Sequence, residues 1–256
     1  MDATLTGPHD ITPATLNHAS ATEPAAPWTY ADIAMALVAV IIGTIVTGAI
    51  GGVIANTFLQ SGEEYEDNAA AFTIVLIPSM VVMELLLLGA TAWFGHWKHK
   101  VPWTALGLRP GHASWWLPAV LAIASLAMVY GYAALLSVIG LESASTPDEV
   151  FEKAGPFIVV LIGAVVLAPP IEEMFFRGFL FGGLDARRGW VLAAVVSSLV
   201  FALAHLDIYG VPAYAAIGFL FAWAYHHTAS LKPSMIAHAL VNAVTVGVAF
   251  ATSGSI

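Results

Sequence analysis

The stretch ADIAMALVAVIIGTIVTGAIGGVIANTFL (residues 31–59) carries a single charged side chain, Asp32, at its beginning. At about 1.5 Å per residue, a helix of this length crosses the ~30 Å hydrocarbon core of a bilayer. Further apolar segments follow at approximately 71–95, 115–140, 157–184, 190–208, 212–227 and 234–253. They are continuously apolar, whereas the strands of a membrane barrel would alternate. The sequence therefore predicts an all-α, polytopic transmembrane bundle of about seven spans, within a range of six to eight.

The composition excludes several classes of protein. Of the 256 residues, 59% are hydrophobic and only 10% are charged, whereas about 25% of the residues in a soluble domain are charged. The net charge is −9 and the basic residues form no stripe, so a nucleic-acid partner is not expected. Because the chain has no cysteine, disulfides, thiolate metal sites and a cysteine nucleophile are excluded.

The chain is predicted to consist of a tail and one domain. Residues 1–29 have no Lys or Arg and no apolar run, so they do not resemble a signal peptide and are predicted to be disordered. No long linker divides the rest, so 30–256 are expected to form one membrane-embedded domain.

The basic residues predict the orientation of this domain. If the segments alternate in direction, six of the eight basic residues fall on one side: Lys98, Lys100, Arg109, Arg187, Arg188 and Lys232. By the positive-inside rule, this side and the N-terminal tail are cytoplasmic. A prokaryotic plasma membrane is the expected location.

Polar side chains inside three of the segments predict a functional site. Ionisable residues cost about 2.5–3.5 kcal/mol each at the centre of a spanning helix. They occur here in APPIEEMFFRG (168–178), FALAH (201–205) and HALVN (238–242). The prolines of the first motif predict a kinked or restarted helix just before its glutamates.

The spacing within the first motif separates its two glutamates. Glu173 and Arg177 are four residues apart, so they share a helical face and can form an ion pair. Glu172 is rotated by about 100° from Glu173, so it is the carboxylate left to act as a base.

The depths of the three motifs in the membrane do not match. Counted from the nearest basic or aromatic boundary residue, Glu172 and His205 both lie roughly 22 Å deep, but His238 lies only roughly 9 Å deep. Either the last helix tilts, or the Lys232–Pro233 turn sinks below the surface. The sequence leaves both alternatives open.

The order of these motifs carries a family resemblance. Glu172-Glu173-x-x-x-Arg177, Phe201-x-x-x-His205 and His238-x-x-x-Asn242 resemble the three signature motifs of the CPBP family. This family comprises type II CAAX prenyl proteases and bacteriocin-processing, Abi-type intramembrane proteases. The resemblance covers roughly residues 100–250.

The resemblance implies an intramembrane endopeptidase. Glu172 and His205 would activate a water, while His238 and Asn242 would hold the substrate and stabilise the oxyanion. In a supporting role, Arg177 would pair with Glu173 and shape the site, to which Phe201 also belongs. Zinc is a candidate cofactor, with Glu172, His205 and His238 as candidate ligands. The expected partners are membrane lipid, a peptide or membrane-protein substrate and, as an option, a membrane-protein partner.

Two other functions remain open at the level of the sequence. The first is a non-enzymatic CPBP-like scaffold or bacteriocin self-immunity protein, in which the same residues would be structural. The second is a proton-coupled transporter, since intramembrane Glu and His residues also serve as proton relays.

Overall fold

The computed structural model describes residues 26–58, 69–141 and 157–252, whose regular secondary structure consists of helices without any strand. Each predicted apolar segment contains one helix, so the all-α membrane bundle is confirmed. The helices are α1 (Tyr30–Phe58), α2 (Ala69–Ala90), α3 (Leu117–Val138), α4 (157–188), α5 (Trp190–Ala204), α6 (Val211–Thr228) and α7 (Lys232–Thr252). Within the described ranges, α1, α2, α3, α4 and α7 are long and apolar enough to cross a membrane, and α5 is a shorter apolar helix.

Two π-helical sections interrupt the fourth helix. In α4, the α-helical sections Phe157–Leu161, Ala168–Glu173 and Gly182–Arg188 alternate with the π-helical sections Ile162–Leu167 and Met174–Phe181. The prolines occupy the first turn of the middle α section, where their missing N–H groups cost least. The prolines predicted to kink or restart the helix thus lie where a π section changes to an α section, and Glu172 lies in the short α section between the two π sections. Such π sections are frequent at functional sites.

The core is built around the second π section, whose eight residues are all buried. Trp28 packs against it with no exposed surface, and its indole N–H donates to the Phe179 carbonyl over 2.8 Å. Residues 1–25 of the predicted tail lie outside the described residues. Residues 26–29 belong to the packed structure, because the Trp28 side chain is bonded to α4.

Many apolar side chains on the outer surface are exposed. Ile41, Ile45 and Val53 on α1 are 57%, 65% and 69% exposed, respectively. A water-soluble protein seldom exposes a continuous apolar face of this kind. The surface is that of an integral membrane protein, in which these side chains contact lipid.

Basic residues meet at one end of the bundle. Lys98, after α2, pairs with the buried carboxylate of Asp32. Arg188 Nε donates to the Tyr30 hydroxyl over 3.0 Å, and Arg109 Nε donates to the Ala229 carbonyl over 2.7 Å. These contacts join the ends of α1, α2, α4 and α6. The side of the membrane that this end faces stays a prediction.

The turn between α6 and α7 resolves the mismatch in depth. Leu231 and Ser234 have no exposed surface, and the Leu231 N–H donates to the Gly107 carbonyl over 3.0 Å. The loop between α2 and α3 thus covers this turn, which lies below the surface of the bundle. His238 consequently reaches the level of Glu172.

This loop approaches α4 so closely that a larger side chain at the contact should destabilise the fold. A Cβ atom at Gly178 would lie 2.4 Å from the backbone oxygen of Leu106, whereas at Gly182 the nearest atom lies 3.6 Å away. We expect Gly178→Ala to lower the free energy of unfolding by about 1–3 kcal/mol. Thermal unfolding in detergent measures the effect. The control Gly182→Ala should be neutral or slightly stabilising, and equal melting temperatures for the two variants would contradict the prediction.

Candidate active site

A buried ion pair lies at the bottom of the candidate site. Arg177 Nη1 donates to Glu173 Oε1 over 2.9 Å, and both side chains are almost fully buried. The guanidinium group also donates from Nη2 to the Gly218 carbonyl over 3.3 Å and lies 4.4 Å from the centre of the Phe201 ring. The predicted Glu173–Arg177 contact is therefore present. The other contacts of the Arg177 guanidinium group join α4 to α5 and α6.

His238 on α7 lies between the two glutamates. Its Nδ1 is 3.2 Å from Glu173 Oε1 and its Nε2 is 3.8 Å from Glu172 Oε2. Because a carboxylate can only accept, Nδ1 donates, so in the neutral form of the ring the lone pair is on Nε2. Glu172 Oε2 is buried and has no hydrogen-bond partner within the described part of the chain. Of the adjacent glutamates, Glu173 is thus the one that Arg177 binds, as the spacing predicts.

His205 ends α5 and has the same tautomer. Its Nδ1 donates to the Phe201 carbonyl over 2.8 Å, so its Nε2 also keeps a lone pair. The Phe201 ring contacts both imidazoles, at 4.7 Å from that of His205 and 5.9 Å from that of His238. Tyr214 on α6 stacks on His205 with the ring centres 4.2 Å apart. Sequence reasoning missed Tyr214, because no signal distinguishes it from the other aromatic residues of its segment.

Asn242 lies one turn beyond His238 and braces α4. Its Nδ2 donates to the Ala164 carbonyl over 2.7 Å, in the first π section. An amide nitrogen carries two N–H groups. One N–H group therefore donates to the carbonyl in the π section, and the other can donate to a further acceptor.

A cavity of about 600 Å³ connects three of the four candidate catalytic residues. His205, His238 and Asn242 line it, and Glu172 lies behind His238. Apart from its two histidines, the side chains that line the cavity are uncharged. Its wall continues along α7 as far as Thr252 and includes Tyr130 of α3. The arrangement combines a carboxylate, two imidazoles and an amide beside a largely apolar cavity.

The candidate zinc ligands do not form a metal site in this arrangement. Within the described ranges, no three His, Asp or Glu side chains are grouped closely enough to hold a metal ion. Glu172, His205 and His238 therefore do not fit zinc as they are placed.

A comparison with known protein families agrees with this site. The family model described as type II CAAX prenyl endopeptidase Rce1-like matches residues 154–244, a stretch that contains all three motifs. This part of the chain is therefore similar to the type II CAAX prenyl endopeptidases. The matched stretch covers α4 to α6 and the first part of α7, so α1, α2 and α3 lie outside it.

Three curated bacterial relatives were found. The chain is 30% identical over 108 residues to the putative membrane peptidase YdiL of Bacillus subtilis, covering 42% of this chain and 44% of the relative. It is 29% identical over 155 residues to the membrane-embedded CAAX protease MroQ of Staphylococcus aureus, covering 58% of each. It is 32% identical over 79 residues to the UPF0177 protein YxdF of Lactococcus lactis, covering 30% and 42%. The chain thus spans about half the length of the curated relatives it matches. No solved structure matches it.

A glycine beside the second motif offers a test of the His205 environment. A Cβ atom at Gly210 would lie 2.4 Å from Asp207 Oδ2 and 2.5 Å from the Tyr214 ring. Because Tyr214 stacks on His205, Gly210→Ala should displace the imidazole. For the peptidase activity proposed below, we expect a loss of about 10-fold to 100-fold in rate. Gly131→Ala, where no atom lies within 4 Å, is the control, and equal rates for the two variants would contradict the prediction.

Proposed function

We propose that the protein is an intramembrane endopeptidase that hydrolyses a peptide bond with water activated by Glu172 and His205. The observation that carries this proposal is the buried Glu172 Oε2, which lacks a hydrogen-bond partner in the described part of the chain and lies 3.8 Å from His238 Nε2. A carboxylate next to an imidazole lone pair is suited to proton transfer.

The contacts support a definite course for the reaction. Glu172 takes one proton from the water, and His205 Nε2 accepts a hydrogen bond from the other. The water oxygen bonds to the peptide carbonyl carbon, and Asn242 donates its second N–H to the resulting oxyanion. The proton passes from Glu172 to His238 Nε2 and then to the leaving amine as the C–N bond breaks. Glu173 Oε1 stabilises the transient imidazolium through Nδ1–H.

The cavity favours an apolar substrate. Because its lining is uncharged apart from the two histidines, a hydrophobic peptide segment or part of a membrane protein fits it better than a charged peptide.

We place the enzyme in a bacterial plasma membrane with a cytoplasmic N-terminus. The bacterial relatives and the clustered basic residues support this placement.

The placement of the three candidate zinc ligands also predicts the effect of chelators on activity. Because the three candidate zinc ligands are not grouped, we expect the rate of cleavage to be unchanged after incubation with a strong zinc chelator. The rate is measured before and after the chelator is removed. Loss of activity that zinc alone restores would contradict this prediction and would make the enzyme metal-dependent.

The proposed activity is tested with purified protein in proteoliposomes. A set of apolar peptides is added in H₂¹⁸O, and the products are identified by mass spectrometry. We expect discrete cleavage products with ¹⁸O in the new carboxyl group, and none from the Glu172→Gln/His205→Gln double variant. A non-enzymatic scaffold would instead give no cleavage and a cellular phenotype that survives the double substitution.

A further inference from the structure

Glu84 on α2 faces the section of α4 that carries the first motif. Met80, four residues earlier, lies against Gly163 of α4, with its Cε 3.7 Å from the position of a Cβ there. Leu88, four residues later, packs against the buried cluster that contains Met174. Residues four apart share a helical face, so Glu84 lies between these two contacts and points toward α4.

The Glu84 carboxyl group faces the section of α4 that carries Glu172, and its Oε2 has no hydrogen-bond partner in the described part of the chain. Both Oε2 atoms are buried without a hydrogen-bond partner among the residues that the structure describes. The two groups are close enough for electrostatic repulsion. A polar residue that merely joined helices would bond to a group on the neighbouring helix. Glu84 does not, although a buried carboxyl group is costly in a membrane.

When two carboxyl groups share a site of low dielectric constant, the ionisation of one disfavours the ionisation of the other. A buried water needs two to four polar partners. Glu172 Oε2 of α4 and Glu84 Oε2 of α2 are two such groups, and the mechanism proposed above adds His205 Nε2 as a third. Since α2 lies outside the family-matched stretch, Glu84 belongs to none of the three motifs.

We propose that Glu84 is a further catalytic residue that binds the attacking water together with Glu172. This inference rests on the proposed peptidase function. Glu84 carries a proton and donates its O–H to the water oxygen. During attack the water gives one proton to Glu172, and the Glu84 O–H then donates to the oxyanion. Glu84 keeps its proton throughout, so the overall reaction remains hydrolysis.

Three variants test this role in proteoliposomes. Glu84→Leu removes the donor, and we expect kcat to fall about 10²-fold with KM nearly unchanged. Its melting temperature should not fall, because leucine removes a buried carboxyl group without a partner. Glu84→Gln keeps an N–H donor and should retain kcat within about 10-fold of the wild type. Met80→Leu, one turn away on the same face, is the control and should behave like the wild type.

The outcomes separate this inference from the proposed function. The role of Glu84 is wrong if Glu84→Leu keeps the wild-type kcat, if Met80→Leu lowers kcat equally, or if both Glu84 variants lose activity in proportion to their loss of folded protein. In each of these cases the peptidase proposal stands when the wild type cleaves and Glu172→Gln does not. If the wild type cleaves nothing or Glu172→Gln is fully active, the proposed function itself fails.

Discussion

Replacing Glu172 with glutamine is expected to lower the rate of peptide cleavage by about 10³-fold and to leave the fold intact. Glutamine has the same shape as glutamate, but its amide cannot take a proton from water. Because Glu172 Oε2 has no hydrogen-bond partner within the described residues, the substitution breaks no stabilising contact there. Initial rates in proteoliposomes and thermal unfolding in detergent measure the two effects.

The neighbouring glutamate provides a matched control for this prediction. Glu173 Oε1 accepts hydrogen bonds from both Arg177 and His238, so Glu173→Gln should lower the melting temperature where Glu172→Gln does not. Full activity of Glu172→Gln would end the proposal that this residue is the base. A fall in its melting temperature equal to that of Glu173→Gln would show that Glu172 is structural.

Replacing Arg177 with methionine is expected to lower the free energy of unfolding by about 3–5 kcal/mol. The substitution leaves the fully buried Glu173 carboxylate without its cation. It also removes the bond to the Gly218 carbonyl and the contact with the Phe201 ring. Because these contacts join α4 to α5 and α6, the loss should appear as reduced resistance to unfolding by denaturing detergent.

A double variant identifies the cause of this destabilisation. Arg177→Met/Glu173→Gln removes both charges, so it should be more stable than Arg177→Met alone. Its activity should stay low, because His238 Nδ1 then donates to a neutral amide. If the double variant is no more stable than the single one, the loss is due to packing and the unpaired charge is not its cause.

Local patterns predicted the helices and the internal pairing of the first motif. The length and continuity of the apolar segments suffice for seven helices, because each helix satisfies its own backbone hydrogen bonds. The spacing of four residues between Glu173 and Arg177 suffices for their contact, because one helical turn brings them together. That contact in turn assigns Arg177 to Glu173 and not to Glu172.

Contacts between distant segments decided the rest of the site. The loop between α2 and α3 buries Leu231 and brings His238 to the level of Glu172. Counting residues along α7 does not predict this. The approach of Tyr214 to His205 and of Glu84 to Glu172 depends on how α6 packs on α5 and α2 on α4. The apolar length and helical period of the sequence thus determined which segments are helices and which side chains share a face. The relative depth and rotation of those helices came only from the tertiary structure, because packing between residues far apart in sequence sets both.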